Sequence, residues 1–398
     1  MMLQISSDDD AKKYLDVLLL PHFEVYNNPH WVSRIVDRVL PPHVREFYTT
    51  HSMFAAMYAT ADLLELKSGR IYVSATICRC AAEAAEHPEH EREERLATAL
   101  EKQATTWMAH MLWPFAVQAY MDIERYRYRH QTWTPTTPKT AADEARYKAH
   151  RFRESILARD SYKCCFTGFI HKCAPEVVLK DATRTITVEV ARIFRHEVAT
   201  SHQGSTDAQK SLDITLKVLG DYCEIADSLH TIVNDTDDPQ NAFSLGLEPQ
   251  DDFNDFSWCL KATETPDRYE VCYMSDNERY RGYRSIHTHI TFVDHSTEFS
   301  TSSDGRQDVP GTPKRLLRAV PNPELLRMHC ALAHVMHLSG ATKLFRALCI
   351  SWGKTQYRSG AAAHIAPTGA AFMAHVVDED PFLMMELRAS LTAALSPP

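Results

Sequence analysis

The first third of the chain carries hydrophobic residues at helical spacing. Apolar positions recur every three or four residues in three stretches, 47–66, 71–85 and 93–113. Ser68 and Gly69 separate the first two stretches and have the chemistry of a helix C-terminus. Residues 1–130 are therefore predicted to form a helical N-terminal domain.

The pattern becomes mixed in the middle of the chain. Residues 131–140, QTWTPTTPKT, are rich in proline and threonine and cannot continue a helix, so we predict a linker there. Residues 186–193 then alternate apolar and polar side chains, as a half-buried strand does. The remaining predicted divisions are a mixed domain at 141–293, a mobile connection at 294–322 and a C-terminal helical region at 323–398. These patterns predict an α+β fold that is mainly helical.

Composition limits the classes of function. The 398 residues are 44% hydrophobic and 24% charged, which is typical of a globular protein of two or three domains. A net charge of -9 means that any nucleic-acid site must be local. Ten cysteines are too few for a disulfide scaffold, and no apolar run is long enough to span a membrane. We therefore predict an intracellular protein, cytoplasmic or nuclear, that does not insert into membranes.

Three segments carry a recognisable motif. They are RDSYKCCFTG at 159–168, VEVARIF at 188–194 and NAFSLGLEPQDDF at 241–253. In order and spacing they resemble the HNH nuclease domain of many fungal proteins, where an RDxYxCxxTG opening is followed by a strand ending in AHIF and then by N(x)nHxxF. The resemblance extends in pieces over residues 47–345. It implies a small ββα-metal element, within 141–293, in which a hairpin and a helix bring residues near 165, 192 and 250 together.

The match keeps one functional position of that family and departs at two. Asn241 stands at the family asparagine, which holds the general-base histidine or its loop. Arg192 stands in place of that histidine, and Gln250 in place of the histidine that binds the metal. Arginine has a pKa above about 12 and cannot accept a proton from water, and an amide binds cations less well than imidazole. The resemblance therefore implies impaired or absent cleavage.

Residues beside the two substituted positions offer replacements. His196 lies one helical turn beyond Arg192 and could act as the base. Asp251 and Asp252 follow Gln250 and are hard oxygen donors suited to Mg²⁺. The alternative is that His196 begins a surface loop and that the two aspartates form a solvated turn. An active site would take a divalent metal, Mg²⁺ or Zn²⁺, whereas an inactive one needs no cofactor.

Arginines interleaved with aromatic residues are the candidate nucleic-acid surface. This composition suits contacts with a phosphate backbone and stacking on bases. The candidates on the predicted helix at 141–158 and in the later RYRGYR run are Arg146, Arg151, Arg153, Arg279, Arg281 and Arg284. The alternative is exposed turns whose tyrosines pack on the core. Nucleic acid is the expected partner, with DNA favoured over RNA, and a protein partner stays open.

Histidines and cysteines give no clear metal site by spacing. Histidines occur at 287 and 289 on a predicted strand and at 329, 334 and 337 on a predicted helix. A metal needs a third or fourth donor, and none is apparent from the spacing, so structural histidines are favoured. Cys164 and Cys173 could chelate a metal, but buried thiols are the preferred interpretation.

Three hypotheses of function follow. The leading one is an HNH-nuclease-related protein with a degenerate site, which binds nucleic acid with little or no cleavage. The second is an active metal-dependent endonuclease that hydrolyses phosphodiesters with substituted ligands. The third is a protein-interaction scaffold. The sequence contains no GxxxxGK[ST], GxSxG or GxGxxG segment, which removes the commonest nucleotide-binding and hydrolase classes.

Overall fold

The computed structural model describes residues 48–116, 140–180, 182–200, 206–274, 288–299, 319–346 and 368–373, together with residues 11, 15 and 348. The chain divides into two compact units. The first unit comprises Met1–Asp122, Glu197–Leu229 and Ala331–Pro398, and the second unit comprises Ile123–His196 and His230–Cys330. The domain boundaries expected from the sequence stay predictions.

Helices make up most of the described residues. They are α1 Thr50–Leu63, α2 Lys67–Ala85, α3 Arg92–Trp107, α4 Ala141–Arg159, α5 Glu176–Leu179, α6 His196–Thr200, α7 Thr206–Cys223, α8 Ala226–Asn234, α9 Leu247–Asn254, α10 Pro323–Leu338 and α11 Gly369–Phe372. Within these residues, no helix has the length and apolar character needed to cross a lipid bilayer.

The strands form three small sheets. They are β1 Ile170–His171, β2 Thr185–Ile186, β3 Val188–Arg192, β4 Ala242–Gly246, β5 Trp258–Ala262, β6 Arg268–Tyr273 and β7 His289–Thr291. β1 and β2 pair in parallel, β3 and β4 pair antiparallel, and β5, β6 and β7 form an antiparallel sheet in that order. The α+β class with a mainly helical content is confirmed.

The first unit is built on helices whose aromatic residues fill its core. Phe54 on α1 meets Trp107 on α3 edge to face, with 4.8 Å between ring centroids. The hydroxyl of Tyr222 on α7 donates to the carbonyl oxygen of Met57 at 2.7 Å. The side chains of Phe54, Met57, Trp107 and Tyr222 are all fully buried. Amphipathic spacing therefore does produce the helical layer expected in this part of the chain.

Ser68 and Gly69 do not end a helix, so that prediction is wrong. α1 already ends at Leu63, and the chain turns at Glu65, which has a φ of 55°. Ser68 and Gly69 lie in the first turn of α2. A Cβ added at Gly69 would lie 2.5 Å from the carbonyl oxygen of Tyr222. Glycine is thus required here because α2 and α7 approach closely.

In the second unit, strands β3 and β4 pair with each other, and helix α9 follows β4 directly in the chain. Side chains alternate between the two faces of the β3–β4 pair. Phe152 and Ile156 of α4 cover the face that carries Ala242, with Val190 packed against them. Phe243 contacts Phe253 of α9, with 5.0 Å between ring centroids. The pair is therefore covered by α4 on one face and contacts α9 through Phe243, which fixes the backbone positions of the motif residues.

Candidate functional site

The three motif segments meet at the β3–β4 pair. The backbone N–H of Cys165, in the opening segment, donates to the carbonyl oxygen of Ser244 at 3.0 Å. Arg192 at the end of β3 lies opposite Ala242 on β4. The side-chain amide of Gln250 on α9 donates to the carbonyl oxygen of Val190 at 3.4 Å. The expected convergence of these segments is therefore present, while their assignment to an HNH-type metal element stays a prediction.

The motif begins with an ion pair that is almost completely buried. The side chains of Arg159 and Asp160 are 0% and 8% exposed, and their closest N–O distance is 2.7 Å. Asp160 also accepts the backbone N–H of Ser244 at 2.8 Å. The guanidinium of Arg159 donates further to three carbonyl oxygens, those of Pro239 at 2.8 Å, Ala319 at 3.0 Å and Ala242 at 2.7 Å. Both residues thus fix backbone around β4, and their role is structural.

Arg192 is held by a carboxylate and an aromatic ring. Its Nε and Nη2 atoms lie 3.1 and 2.5 Å from Oδ1 of Asp237. Its guanidinium carbon lies 5.1 Å from the ring centroid of Phe152 on α4. The ion pair neutralises the guanidinium, and the Phe152 ring adds a cation–π contact. The position where the resembling family has its general base therefore holds a group that cannot take up a proton.

Asn241 connects the chain after β3 to the start of β4. It is fully buried. Its Oδ1 accepts the backbone N–H of Phe194 at 2.7 Å, and its Nδ2 donates to the carbonyl oxygens of Phe194 at 2.8 Å and Thr236 at 3.0 Å. These bonds use the amide to fix the loop that follows Arg192. The asparagine therefore acts on backbone geometry.

His196 is placed near the same loop. Its side chain is exposed, and its Nδ1 lies 2.9 Å from the hydroxyl oxygen of Thr236. The carbonyl oxygen of Thr236 accepts from Asn241, and the next residue, Asp237, binds Arg192. One short loop thus contacts all three residues that the sequence nominates for catalysis. Of these, His196 alone carries an imidazole, the side chain that most often serves as a general base.

The predicted metal ligands on α9 differ in exposure. Gln250 is 5% exposed, Asp251 is exposed and Asp252 is half-buried. Within the described part of the chain, neither carboxylate belongs to a group of three histidine, cysteine or acidic side chains close enough to share one ion. A Mg²⁺ site needs several oxygen ligands, so these two aspartates would have to rely on water or substrate oxygens.

The arginines predicted on α4 are of two kinds. Arg146 and Arg151 are exposed. Arg153 is enclosed by acidic partners, with N–O distances of 3.2 Å to Glu189 and 3.0 Å to Glu154. Its charge is thereby used within the protein. Arg146 and Arg151 remain the exposed cations of the predicted surface on this helix, and Arg279, Arg281 and Arg284 lie outside the described residues.

A groove of about 400 Å³ opens in the second unit beside the motif loop, the segment at 159–168. Lys163, Gly168 and Arg184 are among the residues that line it. Both cations are exposed, and the guanidinium carbon of Arg184 lies 4.9 Å from the ring centroid of Phe169. Glu298 also lines the groove and reduces its positive charge. The groove offers a local cationic surface that motif analysis did not identify.

Two buried histidines in the second unit have structural roles. His329 lies against the rings of Phe253 and Phe256, with centroid distances of 3.7 and 4.5 Å, and burial lowers its pKa to about 3. His171 accepts the backbone N–H of Val188 through Nδ1 at 3.1 Å, and burial, followed by the Arg153 cation, lowers its pKa. Both imidazoles are therefore neutral at pH 7, and the placement of His329 fits its interpretation as a structural histidine.

Cys259 in the second unit lies beside two other thiols that the sequence did not predict. Cys259 on β5 stands directly opposite Cys272 on β6, and their sulfur atoms lie within 4.8 Å. The sulfur of Cys330, on α10, lies 3.2 Å from that of Cys259. Burial raises the pKa of Cys259 well above its usual value. The opposing thiols of Cys259 and Cys272 could contribute to a metal site, and the pairing of β5 with β6 was the signal needed to find them.

No protein-family model matches this sequence, and comparisons with curated proteins and with solved structures likewise find no match. The resemblance to HNH nucleases therefore rests on the motif residues alone.

Proposed function

We propose that this chain carries a degenerate HNH-type site that binds nucleic acid and cleaves it little or not at all. The proposal depends on one observation above all, the engagement of Arg192 by Asp237 at the position of the missing general base. A guanidinium in a short ion pair has no acceptor for the proton of an attacking water. Gln250, at the position of the missing metal ligand, directs its amide towards the carbonyl oxygen of Val190.

Local cationic groups support the binding part of the proposal. Arg146 and Arg151 project from α4, and Lys163 and Arg184 line the groove beside the motif loop. Phosphate contacts of this kind act over about 8 Å at physiological salt, so a local cluster can bind despite the net charge of -9. DNA is the favoured ligand, because the resemblance is to nucleases.

Histidines placed at positions 192 and 250 test whether the missing general base and the missing metal ligand account for the lack of cleavage. We expect the natural chain to leave supercoiled plasmid intact with Mg²⁺ or Mn²⁺, and the double variant Arg192→His with Gln250→His to nick it. The matched control is Arg192→Asn with Gln250→Asn, which removes the same two side chains without supplying imidazole. Failure of a folded double-histidine variant to nick would count against the HNH assignment.

Nucleic-acid binding is tested by the salt dependence of the affinity for duplex DNA. We expect fluorescence anisotropy to give an affinity that falls steeply with salt. The change Arg151→Ala should make the slope of log affinity against log salt concentration shallower by about 0.9, because one phosphate contact is lost. Arg153→Ala is the matched comparison on the same helix, because Arg153 is already paired within the protein. If duplex DNA is not retained at low salt, the protein-interaction scaffold becomes the better hypothesis.

One observation favours a second candidate, the active endonuclease. His196 is exposed and is positioned by Thr236 on the loop that also contacts Arg192 and Asn241. An imidazole in that place could replace the lost base. Metal-dependent nicking by the natural chain that disappears in His196→Gln would select this candidate over the degenerate site.

A further inference from the structure

Cys259 of the second unit lies beside two other thiols, Cys272 on the neighbouring strand and Cys330 on α10. Cys259 and Cys272 occupy opposing positions of the two strands, so their side chains leave the same face of the sheet. Cys330 reaches Cys259 from α10 at a sulfur separation of 3.2 Å. None of these three belongs to the HNH-type motif, so the cluster needs an explanation of its own.

The separations suit a shared metal. In a tetrahedral zinc site with Zn–S bonds near 2.3 Å, two sulfur ligands lie about 3.8 Å apart. The distances here, 3.2 Å for Cys259 to Cys330 and at most 4.8 Å for Cys259 to Cys272, fall on both sides of that value. Cys259 thus lies close enough to each of the other two thiols to share an ion with it.

The surroundings suit a closed, structural site. Cys259 and Cys330 are fully buried and Cys272 is half-buried. Buried thiolates are strongly disfavoured unless a cation compensates them, and zinc bound by cysteines in this way replaces their protons. Soft thiolate ligands select Zn²⁺ over Mg²⁺, which prefers oxygen.

We propose that Cys259, Cys272 and Cys330 are ligands of a structural zinc ion. The proposal is independent of the HNH-type site and uses none of its residues. A tetrahedral site takes a fourth ligand besides these three thiolates. The ion would cross-link β5, β6 and α10.

Metal analysis of the full-length chain tests the proposal. We expect protein purified under reducing conditions without chelator to contain about one zinc ion per chain. Cys272→Ser, a substitution at the least buried of the three positions, should lose it. Cys173→Ser is the matched control, because Cys173 is exposed, and it should keep the zinc. Zinc retained in Cys272→Ser would overturn the assignment of this ligand set.

A measurement on the unsubstituted chain covers the case of a variant that does not fold. Titration of the metal-free chain with Co²⁺ should give the near-ultraviolet charge-transfer absorption of thiolate–cobalt bonds and the visible bands of tetrahedral cobalt. Zn²⁺ should then displace the cobalt and remove both. A folded, reduced chain that gives no such absorption, or a disulfide between Cys259 and Cys330 found by peptide mass analysis in the freshly purified protein, would overturn the proposal.

Discussion

Two regions of the second unit differ in how well a sequence motif indicates the chemistry of their side chains. In the β3–β4–α9 region, a recognisable motif is present, but Arg159 and Asn241 are engaged in holding backbone. In the β5–β6 pair no motif was apparent, yet Cys259 lies beside two other thiols. The presence of a motif therefore does not establish catalytic chemistry, and the absence of a motif does not exclude a cluster of thiols.

The difference has a physical basis. In the motif region several backbone groups depend on one side chain, as the three carbonyl oxygens around Arg159 do. Metal affinity requires only that ligand atoms converge, and strand register can bring this about for residues far apart in sequence. The comparison predicts that the motif region responds to mutation through stability, and the thiol region through metal content.

The largest effect is expected from Arg159→Ala. The change leaves the Asp160 carboxylate buried without its cation, and we expect the free energy of unfolding to fall by about 4 kcal/mol. Urea unfolding followed by circular dichroism measures it. Arg146→Ala, an exposed site on the same helix, should change the stability by less than about 0.5 kcal/mol. Equal effects at the two sites would contradict the structural role of Arg159.

A somewhat smaller loss is expected from Asn241→Ala. Three hydrogen bonds to buried backbone groups disappear, so the free energy of unfolding should fall by about 3 kcal/mol. Asn234→Ala is the control, since exposed Asn234 donates one bond to its own helix, at His230. A neutral Asn241→Ala combined with a loss of nicking would instead make this residue part of an active site.

Part of this arrangement could be predicted from the sequence. Alternation identified β3, and the motif placed Asn241 and Gln250 near the same strand pair. The role of Gly69 could not be predicted, because its requirement comes from the carbonyl of Tyr222, far away in the chain. The contact of Cys259 with Cys330 depends likewise on tertiary packing, which no local spacing encodes. Local patterns specify elements, whereas partners between elements require the fold.

Metal removal should sharpen the contrast between the two regions. With free Zn²⁺ at about one hundred times its dissociation constant, the zinc-bound chain should be about 2.7 kcal/mol more stable than the metal-free chain. Unfolding in zinc-buffered solutions measures this difference. The gain should vanish in Cys272→Ser and persist in Arg192→Gln, which leaves the thiols unchanged. A gain that survives in Cys272→Ser would locate the stabilising ion elsewhere.

Acid should weaken the motif region through His171. Its folded-state pKa is lowered, so the unfolded chain takes up the proton first as the pH falls below about 6.5. The stability contributed by the neutral imidazole is therefore present above that pH and is lost as the pH falls towards the folded-state pKa. His171→Asn keeps an acceptor for the N–H of Val188 but cannot titrate. The variant should lose less stability than the natural chain between pH 7 and pH 5, and parallel profiles would exclude His171 as the cause.

The smallest effect is expected from Arg192→Gln. Arg192 is 30% exposed and Asp237 is 41% exposed, so water can solvate the carboxylate once its partner is gone. Ion pairs of this exposure contribute at most about 1 kcal/mol, and the Asn241 clamp on the neighbouring loop stays intact. Urea unfolding should therefore place this variant within about 1 kcal/mol of the natural chain. A loss as large as that of Asn241→Ala would mean that Arg192 is needed for folding, which would weaken its interpretation as a substituted catalytic position.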